Sequence, residues 1–192
     1  MRKYLLYVLI ISFVLLLAPT AHVALHAGEL EDAKKAVRKN PDDADAHYDL
    51  GVAYGDLGRY EEAIRSYKQA LRIDPDDADF HNNLGNAYCN LGKHEEAIES
   101  CKQAIRLDPD YAMAHDNLGY TYYELGKYKE AIESCKQAIR LDPDFANAHN
   151  NLGIAYDELG KHEEAIESYK QAIRLDPDLR MHMIISVISI TS

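Results

Sequence analysis

The chain has 192 residues, of which 32 are acidic and 21 basic, for a formal net charge of -11. A surface of that sign repels polyanions, which argues against nucleic acid and anionic membrane as partners. Cys89, Cys101 and Cys135 are odd in number, so no disulfide framework is implied.

Arg2 and Lys3 precede the run Tyr4 to Ala18, YLLYVLIISFVLLLA, which has the charged start and apolar stretch of a secretory leader. As a helix that run reaches about 22 Å, short of the roughly 30 Å hydrocarbon core. Ala21, Ala24 and Ala27 form no clean A-x-A pair, so residues 1–27 read as a signal peptide or as an uncleaved N-terminal anchor, a membrane tether through residues 4–25. In both cases the positive end stays inside and the rest of the chain is expected to be extracytoplasmic, whether periplasmic, secreted or anchored. Residues 28–43 read as one amphipathic helix with Leu30, Ala33, Ala36 and Val37 on one face, stopped by Asn40-Pro41.

From Asn40 onward the sequence repeats itself. Pro41, Pro75, Pro109, Pro143 and Pro177 stand 34 residues apart, each followed by Asp. Between them run matching columns: Leu50/Leu84/Leu118/Leu152, Gly51/Gly85/Gly119/Gly153, Tyr54/Tyr88/Tyr122/Tyr156, Ala63/Ala97/Ala131/Ala165 and Ala70/Ala104/Ala138/Ala172. Four copies result, at 44–77, 78–111, 112–145 and 146–179. Each holds two helices. In the second copy, helix A runs from about Ala78 to Leu91, where Gly92 breaks it, and helix B from about Glu95 to the stop at Asp108-Pro109. Glu95 and Glu96 suit the positive end of the helix B dipole, Lys102 and Arg106 its later half, and Asp110 is placed to cap the next helix A.

Gly85 falls inside helix A, where glycine costs about 1 kcal/mol relative to alanine. Its recurrence in every copy implies a close approach of the two helices at the Ala97 and Ala104 columns. Leu84, Tyr88, Leu91, Ile98, Ile105 and Leu107 are expected to supply the buried apolar surface. After Pro177 the pattern fails. Residues 180–192 hold an uncharged, β-branched run from Ile184 to Thr191, an aggregation-prone window that lies on the last helix B, drives self-association, or reflects a truncated reading frame.

A period of 34 with L-G-x-x-Y, then A-x-x-x-[YC]-x-x-A, then Pro resembles the tetratricopeptide repeat. The resemblance implies an all-α, right-handed α-solenoid of antiparallel helix pairs, with residues 28–43 as a degenerate half repeat capping one end. It also implies a protein-interaction module, not an enzyme, whose A helices line a concave groove for a peptide or partner helix while the B helices form the back. Carried over by column, that groove presents Tyr48, Asp49, Val52 and Asp56 from the first copy and Asn82, Asn83, Asn86, Cys89 and Asn90 from the second. The third gives Asp116, Asn117, Tyr120, Tyr123 and Glu124, and the fourth Asn150, Asn151, Ile154, Asp157 and Glu158.

Asn83, Asn117 and Asn151 share one column and offer both a donor and an acceptor, either to the backbone of an extended peptide or to the neighbouring repeat. The acidic side chains around them favour basic or neutral peptides. No helix A contains Lys or Arg, so the clamp with which some family members hold the C-terminal carboxylate of chaperones is absent. Two rival roles remain: an accessory substrate-binding subunit of an enzyme complex, and an envelope scaffold that assembles through its tail.

No residue set suggests catalysis, a cofactor or a metal. His47, His81, His115 and His149 form a ladder, but equivalent residues of stacked repeats lie roughly 8–10 Å apart, too far to share a zinc ion with its ligands about 2 Å away. The family has a large aromatic in that column, so these rings read as packing substitutes. Cys101 and Cys135 replace Tyr67 and Tyr169 and read as small core fillers, whereas Cys89 is expected to be an exposed thiol with nothing basic to activate it. Gly51, Gly55 and Gly58 lack the strand and Lys of a phosphate loop.

Overall fold

Glycine and proline at fixed spacing end the A and B helices in the computed structural model of the protein, which describes residues 26–177. Most of the expected leader and the whole 180–192 tail, with their expected tethering and self-association, lie outside the described residues. Among those described there are helices and turns but no strand. The chain divides after Pro75 into two compact units.

The first unit contains α1 (26–39), α2 (Ala44–Asp56) and α3 (Tyr60–Ile73). Leu30 and Ala33 of α1 pack with Ala53, Leu50, Tyr54 and Leu57, so most of the 28–43 segment does form a helix against the first full repeat, and the chain is already helical at His26, the first described residue. The second unit contains α4 (Ala78–Asn90), α5 (His94–Leu107), α6 (Ala112–Glu124), α7 (Tyr128–Leu141), α8 (Ala146–Glu158) and α9 (His162–Leu175). Here α4 pairs with α5, α6 with α7 and α8 with α9. Each B helix also packs on the A helix that follows, and α4, α6 and α8 touch in succession.

Helix A ends at Gly92 because the chain must turn left-handed there: its φ is +74°, a conformation glycine adopts without the steric cost of a side chain. Lys93 N–H then donates to the Tyr88 carbonyl at 2.9 Å, satisfying one of the last helical acceptors. Helix B ends at Asp108, whose extended ψ of 95° is what the following Pro109 demands.

The start of helix A differs from expectation in half the copies. Asp43 and Asp77 cap α2 and α4 by accepting from Ala46 N–H and Phe80 N–H. Asp110, expected to do the same for α6, does not: Tyr111 is the N-cap residue, and Asp110 N–H donates to Asp108 Oδ1 at 3.1 Å. The substitution of Asp77 by Tyr111 at the cap position removes the acceptor, and the neighbouring aspartate is one residue out of reach.

The deepest positions are the small ones. Ala97, Ala104 and Cys101 of α5 are wholly buried, and a Cβ on Gly85 would lie 2.7 Å from Cys101 Sγ and 3.2 Å from the Ala97 carbonyl oxygen. The mid-helix glycine is therefore the contact point of the pair, which offsets its poor helix propensity. Leu84 and Tyr88 are buried as expected, while Leu91, Ile98, Ile105 and Leu107 are only half-buried.

Candidate peptide-binding face

Where α4, α6 and α8 meet, the seam between successive A helices is polar. Asn117 Nδ2 donates to Asn82 Oδ1 at 2.8 Å, and Asn151 Nδ2 donates to Asp116 Oδ1 at 3.0 Å. Asn82 and Asp116, expected on an open face, are only 1% and 5% exposed. The cause is register: these residues sit one position round the helix towards the next repeat, and the Asn column closes over them. One N–H of each of the Asn117 and Asn151 amides is thus engaged within the array, and the second N–H and the carbonyl oxygen are what remain for a ligand. Asn83 likewise turns back, donating to Asp79 O at 3.0 Å.

Burial pushes the Asp116 carboxyl up to about 6, with Asn151 acting in the opposite direction. Its equivalents in the flanking copies, Asn82 and Asn150, carry no charge to desolvate. Cys89 departs from expectation too. It is 7% exposed, and burial raises its thiol pKa, so it is not a surface thiol. Cys101 and Cys135 are free and wholly buried, as core fillers should be, with burial raising Cys101 to about 12.

Outside that seam the candidate face is open. Asn86, Asn90, Tyr120, Glu124 and Glu158 are exposed, and Asn83, Asn117, Tyr123, Asn150, Asn151, Ile154 and Asp157 are half-buried. Asn90 Nδ2 donates to Asn86 O at 2.9 Å, and Asp157 Oδ1 accepts from His162 Nδ1 at 2.9 Å. No Lys or Arg occurs on α4, α6 or α8. In the first unit, Asp49 and Asp56 of α2 are exposed, with Tyr48 and Val52 half-buried; the Tyr48 ring lies 5.8 Å from that of Tyr67.

The most distinctive part of the face is a strip of three tyrosines. The rings of Tyr120 and Tyr123 stack at 6.3 Å with 29° between planes, and Tyr123 meets Tyr128 at 5.9 Å and 44°. The Glu124 carboxylate lies beside the Tyr120 hydroxyl and that of Glu158 beside Tyr128, each raising the phenol pKa. Burial first, and Glu124 second, push the Tyr120 phenol up to about 12, so at neutral pH the rings stay uncharged between two carboxylates. Tyr128 opens helix B and was not expected here. The signal was available, because Tyr60, His94, Tyr128 and His162 form an aromatic column at that position.

The tyrosines of the L-G-x-x-Y column, in contrast, are structural. Lys102 and Lys127 both place Nζ 6.0 Å from the Tyr122 ring centre, and Lys136 and Lys161 lie 5.7 Å and 5.6 Å from that of Tyr156. The histidine ladder is also engaged. His47, His115 and His149 each place Nε2 2.9–3.2 Å from the carbonyl oxygen of Pro41, Pro109 and Pro143. Ser100 and Ser168 bond back to the carbonyls of Glu96 and Glu164 within their own helices. His26, Glu29 and Asp56 bring potential ligand atoms within 4.8 Å of one another, but no residue of the set is buried, and exposed acidic groups gather without an ion.

Helix pairs of this size, with a glycine contact at mid-helix and a proline stop every 34 residues, define a helical repeat protein of the tetratricopeptide class. Sequence profiles agree. One described as TPR repeat matches residues 55–92, 85–126 and 119–160, and two described as tetratricopeptide repeat match 33–65 and 146–179. The chain belongs to the tetratricopeptide repeat family, an all-α solenoid of helix pairs.

Comparison with curated proteins finds no match. Among solved structures, TTC0263, a thermophilic TPR protein of Thermus thermophilus, superposes with a TM-score of 0.77 at 26% identity, over 91% of this chain and 97% of that one. YrrB, described as a TPR protein with an unusual peptide-binding site, gives 0.66 at 25% identity, over 91% and 89%. The first TPR of Spaghetti (RPAP3), bound to the HSP90 peptide SRMEEVD, gives 0.59 at 28% identity, over 61% and 93%. These relatives support a protein-interaction module. Among the described residues no helix is long and apolar enough to cross a membrane.

Proposed function

We propose that the chain is a non-catalytic adaptor that holds extended peptide segments of basic or neutral character on the open face of α4, α6 and α8. The observation that carries this reading is the Tyr120, Tyr123 and Tyr128 strip between Glu124 and Glu158. Neutral aromatic rings edged by carboxylates attract Lys and Arg through both charge and ring quadrupole, and two-torsion side chains lose little freedom on binding. Asn86, Asn90, Asn117 and Asn151 add amide groups that read a peptide backbone more than its side chains, so selectivity comes from charge rather than sequence. Two of the solved relatives concern peptide binding, which supports the general mode. A peptide array probed with the full chain tests it: Lys- and Arg-bearing sequences are expected to bind best, and preference for acidic sequences refutes the reading.

Residues 1–27, whose charged start and apolar run read as a signal peptide or an anchor, support placing this adaptor outside the cytosol, secreted, periplasmic or tethered. N-terminal sequencing and fractionation of the native protein test that placement, and intact chain in the soluble cytosol overturns it.

A further inference from the structure

In every full repeat, one face of helix B is closed over by its own helix A. Ala63, Ala97, Ala131 and Ala165, and likewise Ala70, Ala104, Ala138 and Ala172, are wholly buried. One 34-residue period before Ala63, Tyr67 and Ala70 stand Glu29, Ala33 and Ala36 of α1. There the same face is partly open: Ala33 is buried against α2, but Glu29 and Ala36 are exposed, and together with Asp32 and the edge of Ala33 they line a cleft of about 540 Å³ whose other side is α2.

The α2 side is formed by Asp49, Val52, Ala53 and Asp56. Asp49 belongs to the column of Asn117 and Asn151, the two residues that bond the preceding helix A in the second unit. The cleft therefore stands where a helix A belongs, between the B helix of its own pair and the A helix of the next. Residues 10–22 occupy that place in the 34-residue register, but they put Pro19 level with Ala53, inside the helix, and contain no Lys or Arg.

We propose that the α1–α2 cleft is the seat of a helix donated by a partner protein, an amphipathic helix with Lys or Arg along the edges of a narrow apolar stripe. The lining combines four carboxylates, Glu29, Asp32, Asp49 and Asp56, with alanine and valine, and includes no cation. His26 bonds Glu29 at 2.8 Å and stands within 4.8 Å of Asp56, so the edge formed by Asp32 and Asp49 is the side that most calls for positive charge. Burial, then Asp45 and Asp43, hold the Asp49 carboxyl above its ordinary range, a strain that an incoming ammonium or guanidinium relieves. The stripe tolerates larger residues than the native pairs do. Where Gly51 and Gly153 must be glycine against Tyr67 and Tyr169, the donated helix faces only Ala33. This inference rests on the chain being an interaction module, but it uses a different surface from the tyrosine strip.

The test uses two short helix-forming peptides with the same alanine–leucine stripe, one edged with Lys and the other with Glu, titrated against the full chain by fluorescence anisotropy. The Lys peptide is expected to bind saturably and to weaken at least about tenfold when salt screens the carboxylates. Ala36→Trp, which fills the seat from an exposed position, and Asp49→Asn with Asp56→Asn are each expected to abolish or strongly weaken that binding, with helicity unchanged by circular dichroism. Equal binding of the two peptides, or no binding because residues 1–25 fill the cleft, overturns the proposal. Loss of binding in Tyr123→Ala but not in Ala36→Trp also overturns it, and leaves the adaptor reading of the α4–α6–α8 face standing.

Discussion

Replacing Asp116 by Asn should make the protein more stable at neutral pH and leave it unchanged in acid. The folded carboxyl titrates at about 6 against an ordinary 3.8 because it is buried between α6 and α8. Below 3.8 both folded and unfolded chains hold the proton and the site is neutral. Between 3.8 and 6 the folded state binds more protons than the unfolded, so stability falls as pH rises, and above 6 the full cost is present. At about 1.4 kcal/mol per pKa unit, that cost is about 3 kcal/mol. Asparagine keeps the oxygen that accepts from Asn151, as Asn82 does for Asn117, and because the value of about 6 already includes the Asn151 bond, the gain at neutral pH is that same cost, about 2–4 kcal/mol. Thermal melts of both proteins from pH 3.5 to pH 8 read this directly. The curves should converge at the acid end and separate through pH 6, and a difference independent of pH, or a less stable variant at pH 7.5, refutes the reasoning.

Gly85→Ala should destabilise by about 1–3 kcal/mol despite alanine's better helix propensity, because the new Cβ meets Cys101 Sγ and the Ala97 carbonyl; adding Cys101→Ala should recover part of the loss, and a stabilised single variant in a thermal melt contradicts the close approach. The three thiols should resist Ellman's reagent in the native protein and react together once urea unfolds it, since all are buried and raised in pKa. His115→Phe should cost about 0.5–1.5 kcal/mol in urea denaturation through loss of the bond to Pro109 O, whereas a pure packing role would leave stability unchanged or improved.

The fold was legible because its signals are repeated and local. A proline fixes φ and the conformation before it, a glycine permits a left-handed turn, and four copies make each signal unmistakable. What escaped was decided by single positions. Asp110 lies one residue from the cap it was expected to form, and an error of one residue rotates a helical side chain by about 100°. The same step separates Asn82 and Asp116, sealed between helices, from Asn83 and Asn117, half-exposed beside them. Tyr128 was overlooked because column reasoning assigns a residue to helix A or helix B, while the ring reaches across the turn that joins them. The histidine bonds to the proline carbonyls were hidden for a related reason. Sequence shows that His115 takes an aromatic's place, but not that its Nε2 reaches Pro109 six residues earlier.

The measurement that bears most directly on the proposed function is an NMR titration of the full chain with a short Lys-rich peptide, followed through backbone amide shifts. Shifts are expected to concentrate at Tyr120, Tyr123, Glu124 and Tyr128, and at Ile154 and Glu158 on α8, to diminish as salt is raised, and to vanish in Tyr120→Ala with Tyr123→Ala. Shifts confined to α5, α9 and the part of α7 beyond its first turn, or a stronger response to the matched Glu-rich peptide, contradict the assignment of that face as the peptide-binding surface.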